Sequence, residues 1–206
     1  MALIYIEYIS RRPGVDLELF HTVAGGGQSG WADNHAARDQ KILDLGRTWR
    51  TGAEPEYMAV WFSPQDGLER LDAWETIFRS GEADAFEGPF RLAARIDIAG
   101  CYDALVDPVP GSLGRYYSEH FEVAPGASHD DVRSYYDERR GRHGDLELNL
   151  LCDRIGGLGP DPRGLAIWGT PSFGALETIA RELDGVSEPI RLVRAGLYCD
   201  FGQETL

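Results

Sequence analysis

Two glutamates occupy corresponding places on predicted strands and are the first candidates for chemistry. Glu7 follows Tyr5 by two residues, and Glu119 follows Tyr117 by two, so each pair shares one face of its strand. A carboxylate among apolar strand neighbours is costly unless it is paired, and its pKa tends to rise. A carboxyl group of raised pKa suits general acid or base catalysis near neutral pH. We therefore predict Glu7 and Glu119 as catalytic residues and Tyr5 and Tyr117 as walls of a substrate pocket.

The same two glutamates have a second interpretation. A feature present in both halves of a chain is readily explained by architecture, and each carboxylate could pair with a buried arginine. Arg95 and Arg191 also correspond between the halves and are the predicted partners. In the catalytic interpretation the same arginines bind substrate and stabilise a developing oxyanion. The sequence leaves both alternatives open.

A glycine-rich segment, Gly25–Gly30, occurs in the first half only and is followed by Trp31, Asn34 and His35. It matches neither GxGxxG nor GxxxxGK[ST], and it follows a predicted helix rather than a strand, so phosphate binding is disfavoured. We expect a lid over a pocket. Trp31 and Asn34 are predicted to bind substrate, and His35 to act as a catalytic residue.

Two further histidines are candidates. His120 stands where the first half has Tyr8, on the strand face opposite Glu119, and we predict a catalytic role for it. His21 is predicted to contact substrate. These two and His35 could ligate iron, but the sequence has no haem-attachment motif and no compact set of metal ligands. We therefore predict neither a metal nor a cofactor.

The elements that position these residues recur in the chain. Internal repeats decide architecture before other signals. Each half reads as strand, helix, two strands, helix and strand, which is the ferredoxin-like order. In the first half, residues 16–24 and about 31–44 are predicted to be helical. The matching segments, in the same order, are 5–9 with 117–121, 59–61 with 166–168, and 95–102 with 191–198.

The repeat predicts the domain organisation and the fold class. Residues 1–106 form one ferredoxin-like repeat, 107–112 a Pro/Gly-rich linker, and 113–206 a second repeat. Each unit leaves one apolar sheet face without helices, and packing the two sheets together would bury both faces. We therefore predict an α+β fold in which two tandem βαββαβ units form a single-chain α/β barrel.

The fused ferredoxin-like pair and a Glu-x₅-Pro-Gly pattern after each first strand resemble the dimeric α/β-barrel superfamily. The pattern runs from Glu7 to Pro13-Gly14 and from Glu119 to Pro125-Gly126. NIPSNAP-like and EthD-like proteins, antibiotic-biosynthesis monooxygenases and polyketide cyclases belong to that superfamily. The resemblance implies a barrel that holds a small, often aromatic ligand. It also implies that Trp, Asn and His line the pocket, as in cofactor-free monooxygenases.

Composition limits the partners and the compartment. The 206 residues carry a net charge of −14, which repels phosphate backbones and anionic membranes, so we expect no nucleic acid and no membrane partner. No apolar run approaches the roughly 18 residues of a membrane span. The three cysteines form no CxxC or disulfide pattern. Without a signal-peptide pattern at the start, the expected location is cytoplasmic.

These observations favour a small-molecule enzyme that acts on a hydrophobic or aromatic substrate in the barrel. The chemistry would be cofactor-independent acid–base catalysis of the monooxygenase, cyclase, isomerase or decarboxylase type. One alternative is a non-catalytic barrel protein that binds a small ligand or haem. Another is a structural pseudo-dimer with a packed interior. The partner is a small-molecule ligand, and the chain is a monomeric pseudo-dimer or a homodimer.

Overall fold

The computed structural model describes residues 2–24, 40–48, 56–64, 67–82, 84–182 and 189–201. Both halves follow the predicted order of elements, with an extra helix in the first. The first half contains β1 (Leu3–Arg11), α1 (17–24), β2 (Gln40–Arg47), β3 (Tyr57–Ser63), α2 (Glu69–Ser80), α3 (Asp84–Ala93) and β4 (Ala94–Ala104). The second contains β5 (Arg115–Val123), α4 (His129–Arg142), β6 (Glu147–Arg154), β7 (Gly164–Thr170), a 3₁₀ turn (Phe173–Ala175), α5 (Leu176–Glu182) and β8 (Ile190–Asp200).

The eight strands close into a barrel in the order β1-β3-β2-β8-β5-β7-β6-β4. Every neighbouring pair is antiparallel, and each half contributes four adjacent strands in the ferredoxin-like order. Two short ladders, β2–β8 and β4–β6, join the halves, and we call them the seams. The predicted fold class is confirmed. The sequence duplication and the domain boundaries stay predictions.

The alternation of strand directions defines the two ends of the barrel. Four antiparallel steps separate β1 from β5, so these strands run the same way and begin at the same end. We call this the lower end. Strands β2 and β6 also begin there, and β4 and β8 finish there.

The barrel interior is a packed core. The rings of Tyr8 and His120 lie on opposite strands, and their centroids are 6.2 Å apart across the interior. Alternate residues of β1, including Ile4 and Ile6, point to the same side. Four tyrosines belong to this core and are almost completely buried: Tyr8, Tyr102, Tyr116 and Tyr198. Burying each large side chain contributes about 1.5–3 kcal/mol relative to an exposed one.

The outer face of β5–β8 is covered by α4 and α5. Ser128 and Asp131 form a capping box that begins α4, in which each side chain bonds the other's backbone N–H. Val132 and Tyr136, one turn apart on α4, then pack against Trp168 of β7. This layer fixes the position of α4 over the sheet.

The predicted linker, residues 107–112, crosses the lower end. The Val109 N–H donates to the Asn149 carbonyl of β6 at 2.9 Å, and the Gly111 N–H donates to the Ile42 carbonyl of β2 at 2.9 Å. A Cβ at Gly111 would lie 2.5 Å from the Tyr116 hydroxyl, so any larger residue there must displace that side chain. The linker therefore connects strands of both halves beneath the barrel.

One predicted helix is partly replaced by a strand. The helix predicted over residues 31–44 is wrong for residues 40–44, which form the start of β2 because they pair with β3 across the sheet. Among the helices of the described ranges, none is long and apolar enough to cross a membrane.

Candidate active site

The predicted catalytic residue Glu119 lies on the outer face of β5, under α4, and not in the barrel interior. Its carboxylate accepts one hydrogen bond from each terminal nitrogen of Arg139, both at 2.8 Å, and one from the Tyr136 hydroxyl at 2.9 Å. The side chains of Arg139 and Glu119 have no exposed surface. The Arg139 guanidinium also lies 5.4 Å from the ring centres of Tyr135, Tyr136 and Trp168. Glu119 is therefore held by a buried ion pair.

The electrostatics of this group keep its charges in place. Burial would lower the pKa of Arg139, but the hydrogen bonds and charge of Glu119 raise that pKa overall. Burial, followed by the charge of Glu119, raises the pKa of Tyr136, which therefore remains a neutral donor. The predicted partner of Glu119 is Arg191, and the partner observed is Arg139. Arg191 lies on the exposed part of β8.

The corresponding glutamate of the first half has a more open setting. The Glu7 carboxylate accepts a hydrogen bond from the Trp61 indole N–H at 3.1 Å, and its side chain is only partly buried. Tyr5 packs edge-to-face on Trp74 of α2, with ring centres 5.0 Å apart. Arg95, the predicted partner of Glu7, instead pairs with Asp97 at 2.5 Å on the surface.

The histidines fall in separate places. His120 is 1% exposed inside the barrel, facing Tyr8. The Tyr8 hydroxyl is 3.3 Å from the Tyr102 hydroxyl, and burial raises the pKa of Tyr102 to about 12. His21 of α1 packs against Phe201, with ring centres 4.9 Å apart. The interior and the layer around α1 are thus distinct environments.

The predicted site residues therefore do not converge on one pocket among the described residues. Tyr5 and Glu7 lie in the outer layer of the first half, Tyr117 and Glu119 in that of the second, and His120 inside the barrel. Three predicted residues lie outside the described ranges: Trp31, Asn34 and His35. The described part of the chain has no group of three or more His, Cys, Asp and Glu side chains placed to hold a metal ion.

A pocket of about 400 Å³ opens at the lower end of the β2–β8 seam. The ladder between these strands covers only residues 45–47 and 198–200, so the start of β2 extends beyond the end of β8. The Phe201 N–H donates to the Asp44 carbonyl at 2.8 Å and closes the pocket on one side. The lining residues are Lys41, Ile42, Leu43, Asp44, Gly111, Tyr116, Asp200 and Phe201.

The pocket wall contains an oriented carboxylate. The Tyr116 hydroxyl donates to Asp200 Oδ1 at 2.8 Å. Burial and the neighbouring Asp200 raise the pKa of Tyr116, so the phenol stays protonated at neutral pH and keeps donating. On β2, the Lys41 ammonium is 2.9 Å from Asp44 Oδ1 and 5.3 Å from the centre of the Trp61 ring. Lys41 and Asp44 of β2 and Tyr116 and Asp200 of the second half are thus lining residues of one pocket.

Sequence reasoning missed the residues of this pocket. Tyr116 and Asp200 correspond to Ile4 and Ala104 in the first half, so their polar groups occur in one copy only. The lack of a counterpart in the other half, which distinguishes Gly25–Gly30, also distinguishes these two strand-end residues. The pocket also needs closure of the seam, which residue spacing does not show.

No family model and no curated protein match the sequence. Solved structures do match. The chain is similar to a novel haem-binding protein from Thermus thermophilus, with 12% identity, coverage of 97% of this chain and 90% of that one, and a TM-score of 0.59. It is similar to a mutant chlorite dismutase from Candidatus Nitrospira defluvii, with 9% identity, coverage of 97% and 90%, and a TM-score of 0.57.

A third similar structure is a proposed monooxygenase from Fusobacterium nucleatum. Its identity is 10%, the match covers 100% of this chain and 97% of that one, and the TM-score is 0.52. At these identities the likeness establishes the fold. The chain thus shares, over nearly its whole length, the ferredoxin-type barrel of these proteins.

Proposed function

We propose that this chain is a small-molecule enzyme that catalyses proton transfer in the β2–β8 pocket without a cofactor. The observation that carries the proposal is the Asp200 carboxylate, held by the Tyr116 hydroxyl at 2.8 Å in the wall of a cavity of about 400 Å³. Small-molecule sites typically have about this size and combine apolar walls with a few oriented polar groups. Acid–base catalysis is also the chemistry predicted from the sequence, but here its base is Asp200 and not Glu7 or Glu119.

The chemistry follows from the groups present. Asp200 accepts a proton from a carbon next to a substrate carbonyl, and the electron pair of that C–H bond moves to the carbonyl oxygen to give an enolate. The Lys41 ammonium has three N–H donors and stabilises the oxygen's developing charge while retaining Asp44. The protonated Asp200 carboxyl exchanges its proton with solvent and then delivers a solvent-derived proton to the enolate carbon, which restores the carboxylate. Tyr116 is a positioning residue because it fixes the orientation of Asp200.

Haem binding is named for one of the similar structures, and the described residues of this chain do not fit a haem. The barrel interior is filled by the buried rings of Tyr8, Tyr102 and Tyr198. The layer between β5–β8 and the helices is filled by Tyr136, Arg139 and Trp168, all completely buried. A macrocycle in either place would displace a continuous core.

Deuterium exchange tests the proposal without knowledge of the natural substrate. Bicyclic aryl ketones, beginning with 2-tetralone, are incubated with the protein in deuterated buffer, and loss of the C–H signal is followed by NMR. We expect exchange faster than in buffer, and a reduction of about 10²–10⁴-fold in an Asp200→Asn variant. Asp137→Asn, an exposed change on α4, is the matched control. Exchange at the buffer rate, or equal exchange by Asp200→Asn and wild type, would overturn the proposal.

The role of Tyr116 has its own readout. Its hydrogen bond holds the Asp200 carboxylate in one orientation. In Tyr116→Phe that bond is lost, so exchange of 2-tetralone at saturating ketone should slow, while the dissociation constant of the ketone should change little. Equal exchange rates for Tyr116→Phe and wild type, or a loss of binding alone, would show that Tyr116 does not position the carboxylate.

A further inference from the structure

We propose that the ligand of the β2–β8 pocket is an uncharged or cationic aromatic carbonyl compound, that an O–H or N–H donor on it strengthens binding, and that anionic compounds are rejected. This inference rests on the proposed function, because it concerns the substrate class of the same pocket. Its first basis is the charge of the lining. Asp44 and Asp200 contribute two carboxylates and Lys41 one ammonium, so the lining residues carry a net charge of −1.

The single lysine of the lining is already engaged. Its ammonium is 2.9 Å from Asp44 and lies over the Trp61 ring at 5.3 Å, and its side chain is only 15% exposed. An incoming carboxylate or phosphate could reach the remaining N–H donors of Lys41 only beside Asp44, and it would meet both Asp44 and Asp200 as like charges. The net charge of −14 on the whole chain adds a repulsive field. A ligand that carries negative charge before reaction is therefore disfavoured.

The other lining residues favour a ligand that has hydrogen-bond donors and an aromatic ring. Ionised carboxylates only accept hydrogen bonds, so Asp44 and Asp200 complement hydroxyl, amine or ammonium groups. Ile42, Leu43 and Phe201 supply apolar surface, which an aromatic ring covers well. Negative charge then appears on the substrate only during reaction, when Lys41 stabilises it. Such a site binds a neutral ground state and stabilises its anionic transition state.

Three naphthalene derivatives of similar size separate these possibilities. 2-Naphthol is a neutral donor, 2-naphthylmethylamine is a cation and 2-naphthoic acid is an anion at neutral pH. Dissociation constants are measured by NMR titration at low and high salt. We expect the acid to bind at least about tenfold more weakly than the naphthol. The amine should lose part of its affinity in high salt because screening weakens its attraction to the carboxylates.

An Asp44→Asn variant tests the cause of the discrimination. It removes one carboxylate and releases Lys41, so the difference between the naphthol and the acid should shrink, whereas Asp137→Asn should preserve it. Salt dependence of wild-type binding provides the same test if Asp44→Asn fails to fold. Naphthoate binding as tightly as naphthol in wild type would overturn the inference. In that case, 2-tetralone exchange that still depends on Asp200 would leave the proposed function intact.

Discussion

The two seams of the barrel share a geometry but differ in how the lower end of each is occupied. After β4 the chain continues along β6, and the Leu105 and Val109 N–H groups donate to the carbonyls of Leu151 and Asn149. After β8 only the first of these hydrogen bonds has a counterpart among the described residues, in which the Phe201 N–H donates to the Asp44 carbonyl. The pocket lies beside that bond. The barrel thus has two equivalent places at its lower end, and the linker fills one of them. Among the described residues, the other is a pocket of about 400 Å³.

The outer layers of the two halves differ in how deeply they bury a glutamate. Glu119 is sealed beneath α4 by Arg139 and Tyr136, whereas Glu7 is partly exposed and bonded to Trp61. The second half therefore has the more fully buried polar group in this layer. We infer that it contributes more to stability, and that the pocket on the β2 side carries the chemistry. Substitutions in each half can break or sharpen this contrast.

The largest expected effect is on the buried ion pair. Glu119→Gln leaves the buried Arg139 charge with only the partly exposed Glu182 carboxylate, 3.4 Å from its Nε, as counterion, and we expect a loss of up to about 3–5 kcal/mol of unfolding free energy. Glu7→Gln retains an oxygen acceptor for Trp61 and should cost less than about 1 kcal/mol. Urea denaturation of both variants measures the difference. Equal losses would remove the contrast between the two layers.

An intermediate effect is expected where the linker meets the pocket. In Gly111→Ala the new methyl group would lie 2.5 Å from the Tyr116 hydroxyl and must displace it. Overpacking of this kind costs about 1–3 kcal/mol. It should also disturb the bond from Tyr116 to Asp200 and slow 2-tetralone exchange. Gly141→Ala is the control, since a Cβ there meets nothing within 4 Å. A variant with wild-type melting temperature and exchange would contradict the tight fit.

The smallest effect concerns pH and the contact between α4 and α5. Burial of the Glu182 carboxyl would raise its pKa, but hydrogen bonds and charges of His143 and Arg142 lower that pKa overall. A lowered pKa in the folded state means that this stabilisation is present above the unfolded pKa and is lost as pH falls through the folded value. Because Glu182 is partly exposed, the contribution should stay below about 1 kcal/mol.

The melting temperatures of wild type and Glu182→Gln should therefore differ near neutral pH and converge in acid, below about pH 4. Differential scanning calorimetry from acid to neutral pH measures this convergence. A difference that stays constant over the whole range would show that the carboxylate charge is not responsible.

Local patterns predicted much of the framework. The alternation in Tyr5, Glu7 and Ile9 placed Glu7 on one strand face, and Tyr8 and His120 lie on the other face as expected. Helix prediction from local pattern was wrong where pairing with a distant strand determines the secondary structure. Residues 40–44 form a strand because β3 pairs with them, a contact that no short window of sequence contains.

The partner of Glu119 shows a second limit. Arg139 lies 20 residues away on α4, where it continues the buried stripe of Val132 and Tyr136. The sequence of α4 contains several arginines, and nothing in the sequence distinguishes the buried Arg139 from the exposed ones. The packing of the helix on the sheet makes that distinction. Repetition favours Arg95 and Arg191 instead, but both lie on parts of β4 and β8 that extend beyond the seams.

The sequence by itself determined the order of strands and helices, the ferredoxin-like units and the need to bury two apolar sheet faces. These follow from periodicity and from hydrophobic burial, which neighbouring residues largely encode. Only the tertiary structure decided where a pocket lies. Its wall combines residues 41–44, 111, 116 and 200–201, which are far apart in the chain and meet only when the barrel closes at the β2–β8 seam. Closure depends on contacts across the whole fold, and local sequence does not record them.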